Sequence, residues 1–335
     1  MRDRVLVCGG SGGEAWLAAR AWRASGVRVG VYCDDPTVGA SRARALGVEP
    51  VTDRAALFDD PTVGTLHLLE GVYDRDRTLQ ALLLQGRDVL CASPFCQRPE
   101  QAESLFGAVE RGPGRLRDAS PLPWLPALRE GLRRAQANQV GRLQQARFRS
   151  YLAGLGGWDA GANPACPLRD QPPTLPVEAL LLRELGEVLP IAEGLLGPVV
   201  EIQVQAPRRE PPCCAIASWR HRDHARHGAL ELTTSPCLTL PSPFQPREDS
   251  VEITGSAGIL WVGGLHGGPG TVPPLRLYRG DTLIQPEPPR GGWPAAWEAM
   301  VQAAGSPSSA QLRHRAACLT AAARALETGE RVGVE

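Results

Sequence analysis

No lysine occurs in this chain; all 36 basic side chains are arginine. Chemistry that needs a titrating amine or a Schiff base on a side-chain amine is thereby excluded, because a guanidinium keeps its proton at working pH. Net charge is absent as well: 36 acidic residues balance the arginines, so no global field draws the chain to nucleic acid or to an anionic membrane. No apolar run approaches the ~20 residues of a membrane span. The opening Met1-Arg2-Asp3-Arg4, which leads straight into a strand pattern, lacks the apolar core of a secretory signal. Nine cysteines is an odd number, scattered singly apart from Cys213-Cys214. With no zinc-ribbon spacing among them, they read as reduced, buried thiols of a cytoplasmic protein with no metal. No internal repeat is present, and 335 residues suffice for two domains with cores of their own.

What the chain does have is concentrated at its start. Val5, Leu6 and Val7 run into Gly9, Gly10, Ser11, Gly12 and Gly13, and a helical pattern follows from Glu14. That succession outlines a buried parallel strand, a tight turn and a helix N-terminus. Small residues there let the backbone approach a pyrophosphate, and the helix end favours its charge. Gly13 falls near the third glycine of a G-x-G-x-x-G pattern, although the spacing is not strict. The alternative is a glycine-rich strand-to-helix turn that binds nothing. Gly26 ends the helix and Val27–Cys33 reads as a second strand. Asp34, about twenty residues past the turn, stands where a carboxylate accepts hydrogen bonds from an adenosine ribose. It favours NAD over NADP, while Arg42 and Arg44 on the next helix offset that preference, so the coenzyme stays open between the two. Asp34-Asp35 as a solvated turn is the competing reading.

Alternation continues with a helix around Ser41–Leu46, a strand near Pro50, a strand Val63–Leu69, a helix Arg75–Gln85 capped by Gly86, a strand Asp88–Cys91 and a helix Gln97–Glu110. This βαβ succession predicts a doubly wound parallel sheet with its crevice at the carboxyl ends of the strands. Past Gly112 the pattern changes. A helix Leu125–Gln136 and a long alternating strand Leu143–Leu152 precede a Gly/Pro/Asp-rich stretch, Gly154–Pro173, that reads as a loop or lid. A long apolar helix, Val177–Leu196, follows. Strand patterns with turn signals between them then run to Tyr278, and the helices Pro294–Ala303 and Ala310–Thr328 close the chain.

The assembled residues resemble the Gfo/Idh/MocA oxidoreductases. The likeness is carried by the Gly9–Gly13 turn, by the run Leu79–Pro94 ending Gly-Arg-Asp-Val-Leu-Cys-Ala-Ser-Pro, and by Glu-Ile-Thr-Gly-Ser-Ala-Gly-Ile-Leu within Val251–Val262. A narrower similarity is to the thiazolinyl imine reductases, which reduce a thiazoline ring on a carrier-protein-bound siderophore precursor. It is carried by Gly9–Leu17, Gly30–Val48 and Pro123–Ala135, with Arg129, Leu132 and Arg133 matching. The resemblance implies an α/β chain. Residues 1–118 would form a dinucleotide-binding Rossmann domain, and 119–335 an α+β substrate and dimerisation domain with a large, mostly antiparallel open sheet. The last helix would pack back on the first domain, and a homodimer would form through the open sheet face. The substrate would be a small molecule, free or carrier-protein-bound, with no nucleic acid or membrane partner.

Departures from the family cluster where protons would move. Its Glu-Lys-Pro triplet is Ala92-Ser93-Pro94 here, the branch's histidine before the proline is Ser93, and a tyrosine expected ahead of the next helix is Leu122. The aspartate and histidine of the second domain's first long helix fall near Arg183 and Glu187. Ser93 therefore reads as a hydrogen-bond partner for substrate or nicotinamide, or as an ordinary residue of a turn; Glu187 reads as an acid if buried, or as a solvated carboxylate. An imine nitrogen is basic enough to take its proton from water, whereas general-acid help is worth ~10²–10⁴-fold to less basic substrates. Three functions are thus open: an NAD(P)-dependent reductase of a thiazoline-type C=N, a family member without catalysis acting as a scaffold, and a sugar or cyclitol dehydrogenase. Gly9, Gly10, Ser11, Gly12 and Gly13 would hold the pyrophosphate, Asp34 and Arg42 the ribose end, and Ser93-Pro94 the nicotinamide end. His221, His224 and His227 read as a charged hairpin loop rather than metal ligands. Arg129, Arg133 and Arg134 share one side of a helix, offered to an acidic carrier or to solvent.

Overall fold

Val5, Leu6, Val7 and Cys8 are all buried, which a strand permits only when both faces of its sheet are covered. In the computed structural model, which describes residues 4–10, 12–96, 101–153, 176–209, 213–235, 247–263, 275–286 and 292–334, these side chains form β1 (Arg4–Cys8). It lies in a six-stranded sheet with β2 (Arg28–Tyr32), β3 (Glu49–Val51), β4 (Val63–Leu68), β5 (Asp88–Cys91) and β6 (Arg115–Asp118). The order is β3-β2-β1-β4-β5-β6 and every pair is parallel. The winding reverses between β1 and β4, where open α/β sheets leave a crevice at the strands' carboxyl ends. Five helices make the crossovers: α1 (Gly12–Ala24), α2 (Pro36–Leu46), α3 (Ala56–Asp59), α4 (Arg75–Leu84) and α5 (Ala102–Arg111).

Helix α2 begins five residues before the sequence pattern places it. Asp35 caps it by accepting from the Thr37 and Val38 amides at 2.8 and 3.2 Å, Pro36 supplies a compatible φ, and Gly47 ends it in the left-handed region. The segments α3 and β6 carry no readable period because each is only four residues long.

The second sheet follows a short 3-10 turn at Leu122–Trp124 and helix α6 (Pro126–Gln136). Its strands are β7 (Leu143–Ala153), β8 (Val199–Gln205), β9 (Cys213–His221), β10 (His227–Ser235), β11 (Arg247–Gly255), β12 (Gly258–Val262), β13 (Leu275–Arg279), β14 (Thr282–Ile284) and β15 (Arg331–Gly333), in the order β14-β13-β12-β11-β7-β10-β9-β8-β15. Only β7 with β10 is parallel. Side chains alternate as a half-covered sheet requires: Ala146, Phe148, Ala215, Ala217, Trp219, Leu230 and Leu232 are buried, on the face covered by α7 (Val177–Leu196). The predicted loop Gly154–Pro173 lies outside the described residues.

Two units result. One holds residues up to Pro121 together with Trp293–Arg313, so that α8 (Trp293–Ala303) belongs with the parallel sheet and packs on α1. The other holds the nine-stranded sheet with α6, α7 and most of α9 (Ser309–Thr328).

Candidate functional site

In the parallel-sheet unit, β1 ends at Cys8 and the chain turns through Gly9 (φ +75°) and Gly10 (φ +81°), a backbone region that side chains disfavour. Space excludes a side chain too. A Cβ at Gly10 would meet Leu69 Cδ1 at 2.5 Å, and one at Gly9 would meet Val72 Cγ2 at 2.9 Å as well as the Glu70 carbonyl. Both amides are already committed, Gly9 donating to the Tyr32 carbonyl at 3.0 Å and Gly10 to that of Glu70 at 2.6 Å. These two glycines therefore build the turn. The amides with no partner within their helix are those of the first turn of α1, from Gly12 and Gly13 onward. Ser11 lies outside the described residues.

Asp34 follows the carboxyl end of β2. Its Oδ1 accepts from the Tyr32 hydroxyl at 2.8 Å, and its Oδ2 from the Tyr73 amide at 2.6 Å. Arg54 approaches Oδ1 at 3.4 Å while also donating to the Tyr73 carbonyl and the Thr78 hydroxyl. The two neighbouring aspartates thus divide their work: Asp35 caps a helix, and Asp34 is held beside the glycine turn. Burial, then the bond to Asp34, pushes the Tyr32 hydroxyl well above its usual pKa. Arg42 reaches back from α2, placing its guanidinium 3.3 Å from the Gly9 carbonyl and 3.4 Å from Cys33 Sγ. Arg44 is exposed.

Ser93 and Pro94 follow β5, joined by a cis peptide bond, with Ser93 buried. Sequence reasoning missed the residue that organises this segment. Arg75, at the start of α4, is fully buried and donates to the carbonyls of Ala92 (3.4 Å) and Pro94. A buried guanidinium between two carbonyls is a charge held by backbone dipoles. The signal for it in sequence was slight, a single arginine in an otherwise ordinary helix start.

In the other unit, α7 carries Arg183, Glu184 and Glu187. Glu187 is half-buried, and Glu184, one turn before it, is fully buried. The Glu184 carboxylate accepts from Arg183 at 3.0 and 3.1 Å and from Ser150 Oγ of β7 at 3.4 Å. Asp249 of β11, also buried, stands directly across from Ser150 in the ladder. A buried carboxylate with a paired guanidinium and a hydroxyl can hold or relay a proton. Glu184 was missed because Val177–Leu196 reads as an apolar helix in which only Glu187 was singled out, as an acid if buried or a solvated carboxylate.

The histidine cluster is a hairpin. His221 ends β9 and His227 begins β10, with a turn between them. His221 is buried, its two ring nitrogens meeting the Gly197 carbonyl at 2.6 Å and the Trp219 indole N–H at 3.2 Å, and burial lowers its pKa. Arg133 and Arg134 both bind Glu130 at 2.7 Å, and Arg129 lies over the Trp124 ring. Among the described residues no helix is long and apolar enough to cross a membrane.

No protein-family model matches the chain, and no curated protein does either. Solved structures match along its whole length. An oxidoreductase from Agrobacterium radiobacter, solved with NAD+, L-tartaric acid and magnesium, is 15% identical; the match covers 100% of this chain and 99% of that one, with a TM-score of 0.71. Levoglucosan dehydrogenase, solved with NADH and levoglucosan, is 16% identical over 99% of each chain, with a TM-score of 0.73. The WlbA dehydrogenase from Bordetella pertussis, solved with NADH and UDP-GlcNAcA, is 16% identical over 100% of this chain and 99% of that one, with a TM-score of 0.69. At this identity the property shared is the fold: a six-stranded parallel sheet followed by a mostly antiparallel one, as in nicotinamide-dependent dehydrogenases.

Proposed function

We propose that the chain is an NAD-dependent oxidoreductase of Gfo/Idh/MocA type acting on a small molecule. The observation that carries this reading is the bare-backbone turn Gly9–Gly10, at the carboxyl end of β1, with the Asp34 carboxylate beside it at the end of β2. Protein atoms already fill the space that a Cβ would need at both glycines, so the turn stays tight and the chain passes directly to the start of α1, whose amides suit a pyrophosphate. In this reading the amides that open α1 bind the diphosphate, Asp34 accepts from the ribose hydroxyls, and Arg42 steadies the Gly9 carbonyl. The bound nicotinamide supplies the hydride. Arg75 fixes the Ala92–Pro94 segment, which borders the nicotinamide end, with Ser93 as the polar side chain there. NAD is preferred over NADP because the Asp34 charge repels a 2'-phosphate.

For the substrate, the residues favour reduction of a C=N bond of thiazoline type. The chain has no lysine and places Ser93 before the proline, so no strong acid comes from that segment. An imine nitrogen takes its proton from water, which makes positioning the chief demand on the protein. A sugar dehydrogenase is the second reading, supported by structural neighbours solved with levoglucosan and UDP-GlcNAcA.

The assembly we propose is a homodimer through the face of the nine-stranded sheet opposite α7, which no helix covers among the described residues. Tyr151, Ile216, Ile259 and Tyr278 stand there with 38, 47, 39 and 41% of their surface exposed, more apolar area than single scattered residues present.

Titration of the full chain with NADH and NADPH, read by nicotinamide fluorescence, tests the coenzyme reading. Saturable NADH binding below about 1 mM, tighter than NADPH, is expected. Absence of binding by both overturns the enzyme in favour of a scaffold that keeps the fold. Turnover of a cyclic imine with NADH, against oxidation of a sugar panel with NAD+, then separates the two substrate classes.

A further inference from the structure

We propose that Glu193, His314 and Cys318 form a binding site for one zinc-type divalent cation in the unit built on the nine-stranded sheet. It does not rest on the coenzyme reading. His314 and Cys318 are four residues apart on α9 and so share a face. Glu193 comes from the last turns of α7. One ligand atom from each of the three lies within 4.8 Å of the others, the one such group among the described residues.

The geometry around a single nitrogen carries the inference. Glu193 Oε1 stands 2.6 Å from His314 Nε2, and Cys318 Sγ stands 3.7 Å from that same atom. In a Cys-His-acid relay the acid and the thiol meet opposite ring nitrogens, so the cluster is not built for nucleophilic catalysis. Nε2 has one proton or one lone pair and cannot serve both partners. A cation among the three takes that lone pair, the carboxylate and the thiolate together. Tetrahedral zinc, with bonds of about 2.0–2.3 Å, sets its ligand atoms about 3.3–3.8 Å apart. Sulfur and nitrogen already have that spacing, and the carboxylate oxygen needs to withdraw by about 1 Å.

Three further features suit a cation. The Val199 amide donates to Glu193 Oε1 at 3.0 Å, orienting the carboxylate in the way that hydrogen bonds behind a ligand usually do. The mixed N, O and S donors select borderline-soft metals over calcium or magnesium. Cys318 is buried while His314 and Glu193 are partly exposed, which leaves a route for entry and a fourth position for water. Binding displaces the thiol proton to solvent, so carboxylate and thiolate balance the dication. Arg222, near His314, is the cationic group that opposes it, and His221 is not a ligand because both its nitrogens are engaged.

The test is titration of the full chain with Co2+ in the presence of a non-thiol reductant. One equivalent is expected to give a thiolate-to-cobalt charge-transfer band, with visible bands of four-coordinate intensity. Cys318→Ser is expected to abolish the charge-transfer band, and Cys214→Ser, which alters an exposed thiol on β9, to leave it intact. Absence of the band in the parent chain, or its survival in Cys318→Ser, overturns the proposal. Zn2+ competition against a chromophoric chelator gives a second measurement in His314→Gln. A drop in affinity of at least tenfold supports the site, and an unchanged affinity refutes it.

Discussion

The indole N–H of Trp22 donates to Nδ1 of His67 at 3.0 Å in the interior of the parallel-sheet unit. Trp297 of α8 packs its ring 5.6 Å from the imidazole on another side. Since Nδ1 accepts, a neutral ring carries its proton on Nε2. Burial, aided by the nearby Arg117, pushes the pKa of His67 down to about 3.

That depression sets a pH dependence. The unfolded chain takes up the proton below about pH 6.5, and the folded chain refuses it until about 3. The contribution is therefore complete above about 6.5 and is lost as the pH falls through the window, by up to about 1.4 kcal/mol per pH unit. Urea unfolding at about pH 7, 6 and 5 measures it. His67→Gln keeps an acceptor for Trp22 and removes the titration, so its stability is expected to fall less steeply than that of the parent. Parallel slopes for the two proteins would contradict this account.

At the glycine turn, Gly10→Ala forces a methyl group against Leu69 at a φ of +81°. Left-handed strain at a non-glycine residue costs about 1–3 kcal/mol before any clash is counted. The melting temperature is expected to fall by several degrees, and NADH affinity with it. Gly26→Ala also has a positive φ but nothing within 4 Å. It is expected to lose stability alone, with coenzyme titration unchanged, and this comparison separates general strain from damage to the cradle.

Asp34→Ser keeps a hydrogen-bonding side chain beside the Tyr73 amide and removes the negative charge. Arg54, which donates to Asp34 in the parent, keeps its bonds to Tyr73 and Thr78 but has no carboxylate to neutralise it, so its charge favours a 2'-phosphate. The NADH-to-NADPH ratio of dissociation constants is expected to shift toward NADPH by tenfold or more, about 1.4 kcal/mol. Paired fluorescence titrations measure the ratio, and an unchanged ratio would detach Asp34 from coenzyme choice.

These sites were legible in sequence to different degrees, for physical reasons. The turn at Gly9 and Gly10 was readable because glycine is demanded there by backbone geometry, which is local. The alternation of strands and helices up to Glu110, the short α3 excepted, follows local hydrophobic period in the same way, and so does the succession of strand segments from Val199 to Tyr278. Asp34 was placed by its distance from the turn, but its separation from Asp35 was not, because capping depends on where α2 begins. Arg75 and Glu184 were not found, since each is defined by burial against segments distant in the chain. Glu193 lies 121 residues from His314, a separation that no spacing rule spans.

Arg75 gives a fourth expectation. Removing its guanidinium in Arg75→Met takes the Arg75 donor from the Pro94 carbonyl in a buried place and leaves the Ala92 carbonyl with the weak Cys91 thiol at 3.5 Å. An unsatisfied buried acceptor costs about 1–3 kcal/mol, so the midpoint of denaturant unfolding is expected to fall clearly. Arg75→Lys supplies a point charge in place of a fork and is expected to recover only part of the loss. If Arg75→Met melts with the parent, those carbonyls are satisfied in some other way.

The uncovered sheet face gives the last expectation. Ile216 of β9 stands opposite Glu231 of β10, which in turn stands opposite Arg149 of β7. Arg149 and Glu231 bond at 2.8 Å, so a charged row crosses the face between Ile216 and the apolar side chains of β12 and β13. A second copy of the face, set by a two-fold axis, brings apolar and charged rows onto one another. Ile216→Glu with Ile259→Glu sets like charges in such an interface, the first directly opposite Glu231, each costly once desolvated. Light scattering after size-exclusion chromatography is expected to show twice the single-chain mass for the parent and the single-chain mass for the double variant. The circular dichroism of the variant should stay native, because both side chains lie on the face opposite the α7-covered core. A parent that elutes as a monomer would instead leave the face as ordinary exposed sheet, with the Arg149–Glu231 pair serving to keep it soluble.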